Sequence, residues 1–490
     1  MMGRPQRRNG KLFYTGLNLD QRVRANHPLR AIAKAIDFSF VRGWVKHLYG
    51  RRGNPSVDPT VLLKLMFLLF YEQVPSERAL MERLSERLDW LWFCGYDLDD
   101  TIPNHSVISK ARKRWGPKIF AKFFQEVLTR CIAAELVDGE LVHVDASIQA
   151  ANADRNRLVP ALRVVGHRLY EQLDRAQEDV EPGGDSRVVT DEASPQPPLP
   201  KTPISPTDPD ARLTRKNNKS VLGYKDHRVV DDGHGIITAT HTTDAATKEE
   251  TVFQEVLDRH EQNVQSRPRA VVADKSYGTA ENYKALSERG ISPCIPHARR
   301  GGRDGRFSPE RFEYDPKEDC YLCPGGHKLY RCAGKAQGRR YRYIAPAGLC
   351  DACPLQPQCT KAGTRRRVSR HVDQSYIDWA DSYFTHRHRR RLLRRRQWRM
   401  EGSFADAANR HGYKRARWRE LWRMTIQNLL IATIQNVRKL VKYAQLHKGS
   451  AVAALPKADI LAPNLVPAAF FDATGSILMV ILGIRRRRRW

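Results

Sequence analysis

The chain has 490 residues, 41% hydrophobic and 28% charged, a composition that supports packed domains and excludes a disordered or fibrous chain. It carries no run of 18 or more apolar residues and no N-terminal signal segment, so neither a membrane span nor export is expected and the cytoplasm is the expected location. Lys+Arg 84 against Asp+Glu 54 leaves a net charge of +30, which points to a polyanionic partner, most simply nucleic acid.

From about residue 20 to 135 the pattern is helical, with apolar clusters in VLLKLMFLLFYEQV (61–74) and RALMERLSERLDWLWF (78–93) and turn signals at Pro55, Pro75 and Pro103. This predicts an all-α N-terminal domain over 1–135. Within it, IPNHSVISKARKRWG (102–116) reads as a short helix capped by Asn104 or Ser106 and stopped at Gly116-Pro117. Its Lys110, Arg112, Lys113 and Arg114 are candidate DNA contacts.

A strand follows at 141–149, then a helix-like stretch at 157–177. Eight prolines between 181 and 210 predict a flexible insertion without a core of its own. Residues 219–243 read as a hairpin whose loop is Asp231-Asp232-Gly233-His234-Gly235. A short helix (251–258), a strand (269–273), a helix (279–288) and a strand (291–296) complete a mixed sheet with helices packed on it, over 136–300.

Nine cysteines without an export signal argue against a disulfide framework, and Cys94, Cys131 and Cys294 read as buried free thiols. The other six lie between 320 and 359, inside an expected cysteine-rich insertion at 301–370. CYLC (320–323) and CDACPLQPQC (350–359) carry paired CxxC spacing, which suits structural Zn²⁺, although the 26-residue gap between the pairs exceeds the usual ribbon interval. Cys320, Cys323, Cys350 and Cys353 are the simplest ligand set, Cys359 an alternate, and Cys332 lies nearby.

Residues 386–423 hold 14 basic and three acidic side chains. Arg394, Arg395, Arg396 and Arg399 are expected to track a DNA backbone. Trp418, Trp422, Ile426, Leu430, Ile434, Val437 and Val441 then recur at helical spacing and read as core, within a basic C-terminal part spanning 371–447. The tail at 448–490, ending SILMVILGIRRRRRW, is atypical: its apolar run is too short to cross a bilayer.

Two stretches raise one chemical question. HVDASIQAANA (143–153) and RAVVADKSYGTAENY (269–283) each place an aspartate, Asp145 and Asp274, directly after an apolar strand. A carboxylate there is costly unless it is paired or binds a cation, and two at one sheet edge suit Mg²⁺. Glu401, the sole acid between Asp381 and Asp406, is the natural third ligand.

These blocks, with RRRQWRMEGSFADAANRHGYKRARWR, resemble the three catalytic blocks of bacterial insertion-sequence transposases with an RNase H-like DDE domain. The resemblance extends to the N-terminal helical region and to GYKDHRVV (223–230), covering residues 10 to 445 or so, with spacings of 129 and 127 residues between the acids. It implies an α/β catalytic domain of RNase H-like type, a mixed sheet flanked by helices, preceded by the all-α domain. It also implies that Asp145, Asp274 and Glu401 hold two Mg²⁺ ions, or Mn²⁺ in their place. The activity implied is cleavage at the ends of the protein's own element and joining of the 3′-OH to target DNA. The protein would act as a homo-oligomer, associated with the nucleoid, with recognition of the element's ends largely in the N-terminal domain. The rival readings are a metal-dependent nuclease that cuts without joining and a non-catalytic zinc-containing DNA-binding protein.

Overall fold

Runs of β-branched and aromatic residues, bounded by turn formers, set the central sheet. Its strands are β1 (Leu141–Ala150), β2 (Arg212–Lys216), β3 (Lys219–Asp231), β4 (Ile237–Asp244), β5 (Ala270–Val272) and β6 (Ser292–Cys294). β3 pairs antiparallel with β1, β2 and β4, whereas β1, β5 and β6 run parallel to one another in that order. The computed structural model describes residues 1–3, 18–50, 52, 54–164, 202–216, 218–297, 306–333 and 338–446. Most of the helix expected at 157–177, most of the Pro-rich insertion and the whole tail at 448–490 lie outside the described residues. The last part of that insertion is not loose: Asp208 is buried, accepting from the Tyr224 hydroxyl at 2.5 Å and the Glu420 N–H at 3.0 Å.

Seven helices precede the sheet: α1 (Leu19–Arg22), α2 (Pro28–Ala35), α3 (Val41–Val45), α4 (Pro59–Tyr71), α5 (Glu77–Leu84), α6 (Leu88–Cys94) and α7 (Ser106–Ala133). In α4, Asp58 accepts from the Thr60 N–H, Pro59 opens the first turn, and all residues from 61 to 70 except Lys64 are buried. A helix apolar on all sides belongs inside a core. The basic helix ends where expected: Gly116 adopts φ 62°, a conformation that favours glycine, and Pro117 starts the next helical stretch of α7.

The two faces of the sheet differ in chemistry. Val142, Val144, Val229 and Val271 pack against α8 (Glu249–Val264), α9 (Ala280–Glu288) and α11 (Gln374–Tyr383), with Phe253, Tyr283 and Ile377 filling that side. The opposite face is polar and meets α12 (His386–His411) and α13 (Leu421–Leu446). There Gln149 exchanges hydrogen bonds of 2.8 and 2.9 Å with Asn428, and Asn436 bridges the backbone of Ile237 at 2.9 and 2.8 Å. Arg228, fully buried, donates to Asp226, Gln435 and Ser403.

Every residue of α13 from 426 to 437 is buried, because the helix lies between the sheet and the N-terminal helices. One hydrophobic core joins α2, α4 and α7 to α12, α13 and β4, and Met1–His447 form one compact unit. The division expected at residue 135 is therefore no seam: the buried faces of α7 and α13 meet across it. A second antiparallel sheet, β7 (Glu313–Asp315), β8 (Cys320–Leu322), β9 (Lys328–Arg331), β10 (Arg340–Ile344) and β11 (Arg367–His371), carries the cysteines together with the short helix α10 (Gln356–Cys359).

Candidate active site and its basic surround

Strand register decides where the two aspartates stand. In the parallel pair, His143 faces Val272; extending that register by two residues sets Asp145, midway along β1, level with Asp274, which follows the carboxyl end of β5. That edge is where open α/β sheets place their ligands. Asp145 Oδ1 accepts from the Ala146 N–H at 2.8 Å, and Oδ2 takes the Arg396 guanidinium at 2.7 Å. Burial pushes the Asp145 carboxyl up from its ordinary range; Glu249 and Asp274 push the same way, while Arg396 opposes them. Asp274 caps the turn Lys275–Tyr277 through the Lys275 N–H.

A further acid joins them. Glu249, at the start of α8, accepts from Ser276 Oγ at 2.8 Å and lies 3.6 Å from Lys225 Nζ. Beneath these groups Tyr277 is 1% exposed, and its hydroxyl has no hydrogen-bond partner. Burial, then the charges of Glu249 and Asp145, push that phenol well above its usual range. Gly278 beside it is required by space: a Cβ there would meet Pro296 O at 2.6 Å and the Tyr283 hydroxyl at 2.7 Å.

Glu401 is placed differently. It lies on the exposed side of α12, opposite the buried Met400, Ser403 and Ala407, and accepts from Gln397 Nε2 at 3.0 Å. The charges of Glu249 and Asp274 both reach Asp145 at one edge, whereas the contact recorded for Glu401 is with Gln397 on its own helix. The oxygen donors, their burial and the unpartnered Tyr277 hydroxyl fit a hard divalent cation.

Two family models match the chain, a transposase domain (DUF772) over residues 17–114 and a transposase DDE domain over residues 322–441. Both matches support a DDE transposase. The second match takes in Glu401, whereas Asp145 and Asp274 lie outside both. No curated protein matches this chain. Among solved structures it compares with a piggyBac transposase synaptic complex with hairpin DNA. That likeness, with 9% identity and a TM-score of 0.29 over 86% of this chain and 80% of the other, is too slight to carry a residue correspondence.

The basic side chains expected to meet DNA divide into two groups. Lys110, Lys113, Arg114, Arg394 and Arg395 are exposed. Arg395 nevertheless reaches Asp232 at 2.5 Å, and Arg399 donates to the Gly233 carbonyl at 2.6 Å. Arg112 is a correction to the expected DNA set: it is 4% exposed, ion-paired with Glu77 and stacked 3.8 Å from the Trp418 ring centroid, so its charge is used inside the fold. Arg396 is likewise committed, to Asp145. Beyond the expected residues, Arg387, His388, Arg390 and Arg391 join the expected Arg394 in lining a groove of about 590 Å³ along α12. Trp398, 66% exposed, borders a second groove with Arg399, Arg410, Arg438 and Lys442.

The cysteines sort as sharply. Cys323, Cys350, Cys353 and Cys359 line one small pocket, whereas Cys320 and Cys332 do not. Cys94, Cys131 and Cys294 are buried free thiols. Among the described residues, no helix is long and apolar enough to cross a membrane.

Proposed function

We propose that the chain cuts DNA at the ends of its own element and joins the freed 3′-OH to target DNA, using divalent cations held at the edge occupied by Asp145 and Asp274. The observation that carries this reading is the level placement of those two carboxylates just beyond the parallel pairing of β1 with β5. The strand order, with an antiparallel hairpin beside β1 and two parallel strands beyond it, supports reading the sheet as RNase H-like. Bound Mg²⁺ or Mn²⁺ would polarise the scissile phosphate and activate the attacking water or hydroxyl. Asp145 and Asp274 would hold it. Glu401 enters as a third ligand on family resemblance, and Glu249 on geometry.

The chain's own groups do the rest. The exposed arginines of α12 orient the phosphate backbone past the carboxylates. Arg396, which neutralises Asp145, yields that carboxylate when a cation arrives. Recognition of the element's ends falls to the N-terminal helices with Lys110, Lys113 and Arg114, and two copies act together because two ends must be held. The cysteine-rich segment is a separate, structural part, with Zn²⁺ as its expected ion.

A DNA end already cut to expose its 3′-OH tests the reading: joined product is expected from the wild-type chain and none from Asp145→Asn. Cutting without joining would reduce the chain to a nuclease; DNA binding with neither would make the carboxylates structural. Glu249→Gln and Glu401→Gln then separate the two candidate third ligands, since the true one should lose activity and affinity for Mn²⁺ together.

A further inference from the structure

The small sheet β7–β11 poses a stability problem. Its strands are three to five residues long, and its core contains only six buried apolar residues: Phe312, Tyr321, Leu329, Tyr343, Ala345 and Val368. So small a core ordinarily needs a staple such as a disulfide or a metal. All its cysteines are free thiols.

Local geometry selects which of them could supply one. Cys320 opens β8, whereas Cys323 lies one residue past the end of that strand. Cys320 is fully buried, with its thiol within 4.8 Å of ligand atoms of Asp315 and Glu318. Cys320 is thus absent from the cavity that Cys323 lines. Cys323 turns instead into a tight loop, its N–H donating to His327 O at 2.9 Å and its carbonyl accepting from the Gly326 N–H at 2.8 Å. Cys350-x2-Cys353 is also a turn, closed by the Cys353 N–H on Cys350 O at 3.4 Å, and α10 delivers Cys359 one step on.

These four cysteines line one small cavity. A point at the Cβ position of Gly325 lies 3.5 Å from Cys353 Sγ and 3.7 Å from Cys323 Sγ. The cavity they line measures about 20 Å³, room for a single water-sized occupant, with Leu329, Ala345 and Leu349 as its apolar wall. Two backbone donors point at the sulfurs: the His327 N–H at Cys323 Sγ, 3.4 Å, and the Arg366 N–H at Cys350 Sγ, 3.5 Å. Such donors steady metal ligands from behind. Among the described residues no three of the four thiols lie within 4.8 Å of one another. Zn–S bonds of about 2.3 Å would draw tetrahedral sulfurs to about 3.8 Å apart, a modest contraction for side chains on turns.

We infer that Cys323, Cys350, Cys353 and Cys359 form a tetrathiolate site for one structural Zn²⁺, which staples the small sheet, and that Cys320 and Cys332 take no part. Four soft sulfur ligands select zinc over the hard cations suited to the carboxylate edge. The inference stands apart from the catalytic reading and survives if that reading fails.

Metal content of the purified full chain tests it. About one equivalent of zinc per chain is expected, retained in Cys320→Ser, Cys332→Ser and His327→Ala and lost in Cys323→Ser and Cys359→Ser. Should the latter variants fail to fold, Co²⁺ titrated into the chelator-treated wild-type chain is expected to give the intense charge-transfer and d–d bands of four thiolates. A wild-type chain without zinc, Co²⁺ bands of fewer than four thiolates, or equal loss in Cys320→Ser and Cys359→Ser would overturn the assignment.

Discussion

The carboxylate edge and the cysteine pocket are two proposed metal centres built on opposite principles. Asp145 and Asp274 stand on strands of a large sheet whose packing is complete without them: the apolar face is filled by α8 and α9, and the polar face is knitted to α13 through Gln149, Asn428 and Arg228. The pocket belongs to a sheet with six buried apolar residues, where the ligands are a substantial part of what could hold the strands together. Losing the ion should therefore cost chemistry at the first centre and folding at the second. Where the scaffold is rigid, charge can be left exposed for substrate; where it is small, the ligands close on themselves.

The largest effect should come from Asp145→Asn: a loss of cleavage and joining on the order of a thousand-fold or more, because the substitution removes a ligand needed for the metal's role in the reaction. DNA retention and zinc content should stay unchanged. A variant that also lost zinc would show that the two centres are not independent.

Next in size is zinc removal. Chelation should abolish amide hydrogen-exchange protection across residues 313–371 while β1 and β3 keep theirs. Loss of protection throughout would mean the small sheet supports the large one.

Arg396→Gln should then raise Mn²⁺ affinity by several-fold, since the guanidinium 2.7 Å from Asp145 competes with the cation for one carboxylate. Calorimetric titration checks it, and weaker binding would mean that Arg396 positions Asp145 for the ion instead.

The smallest effect is on pH dependence. Burial holds the Asp145 carboxyl above its ordinary range, so protons compete with the metal at a higher pH than at an exposed carboxylate. Mn²⁺ affinity should fall earlier on acidification in the wild type than at a solvent-exposed site. The metal-free chain shows the converse. A carboxyl whose folded pKa is raised contributes stability at low pH that is lost as pH rises through that pKa, and denaturant titrations across this range should show the decline, absent in Asp145→Asn.

Much of the large sheet was legible because its strands are apolar runs with clear turns, and Asp145 and Asp274 stood out as charges at strand ends. The small sheet was not: Glu313–Asp315 and Lys328–Arg331 are short and polar, with no alternation long enough to read. Glu249 hid in plain sight, since acids in the first turn of a helix are ordinary partners of its dipole. Arg112 misled because charge predicts exposure only until a partner such as Glu77 is found. The all-round burial of α13 was concealed by Gln427, Asn428, Gln435 and Asn436, polar residues whose partners lie elsewhere in the chain. Glu401 reads as the third ligand from its block, yet its helix turns it toward Gln397; helix phase relative to a distant sheet is a tertiary fact.

The central claim, a divalent cation gripped at the edge shared by Asp145 and Asp274, is tested most directly by putting Fe²⁺ in place of Mg²⁺ and mapping where peroxide-generated radicals cut the zinc-loaded chain. Scission is expected around 145, 249 and 274, suppressed by excess Mg²⁺ and absent in Asp145→Asn. Cuts confined to other segments, or none that Mg²⁺ suppresses, would contradict it.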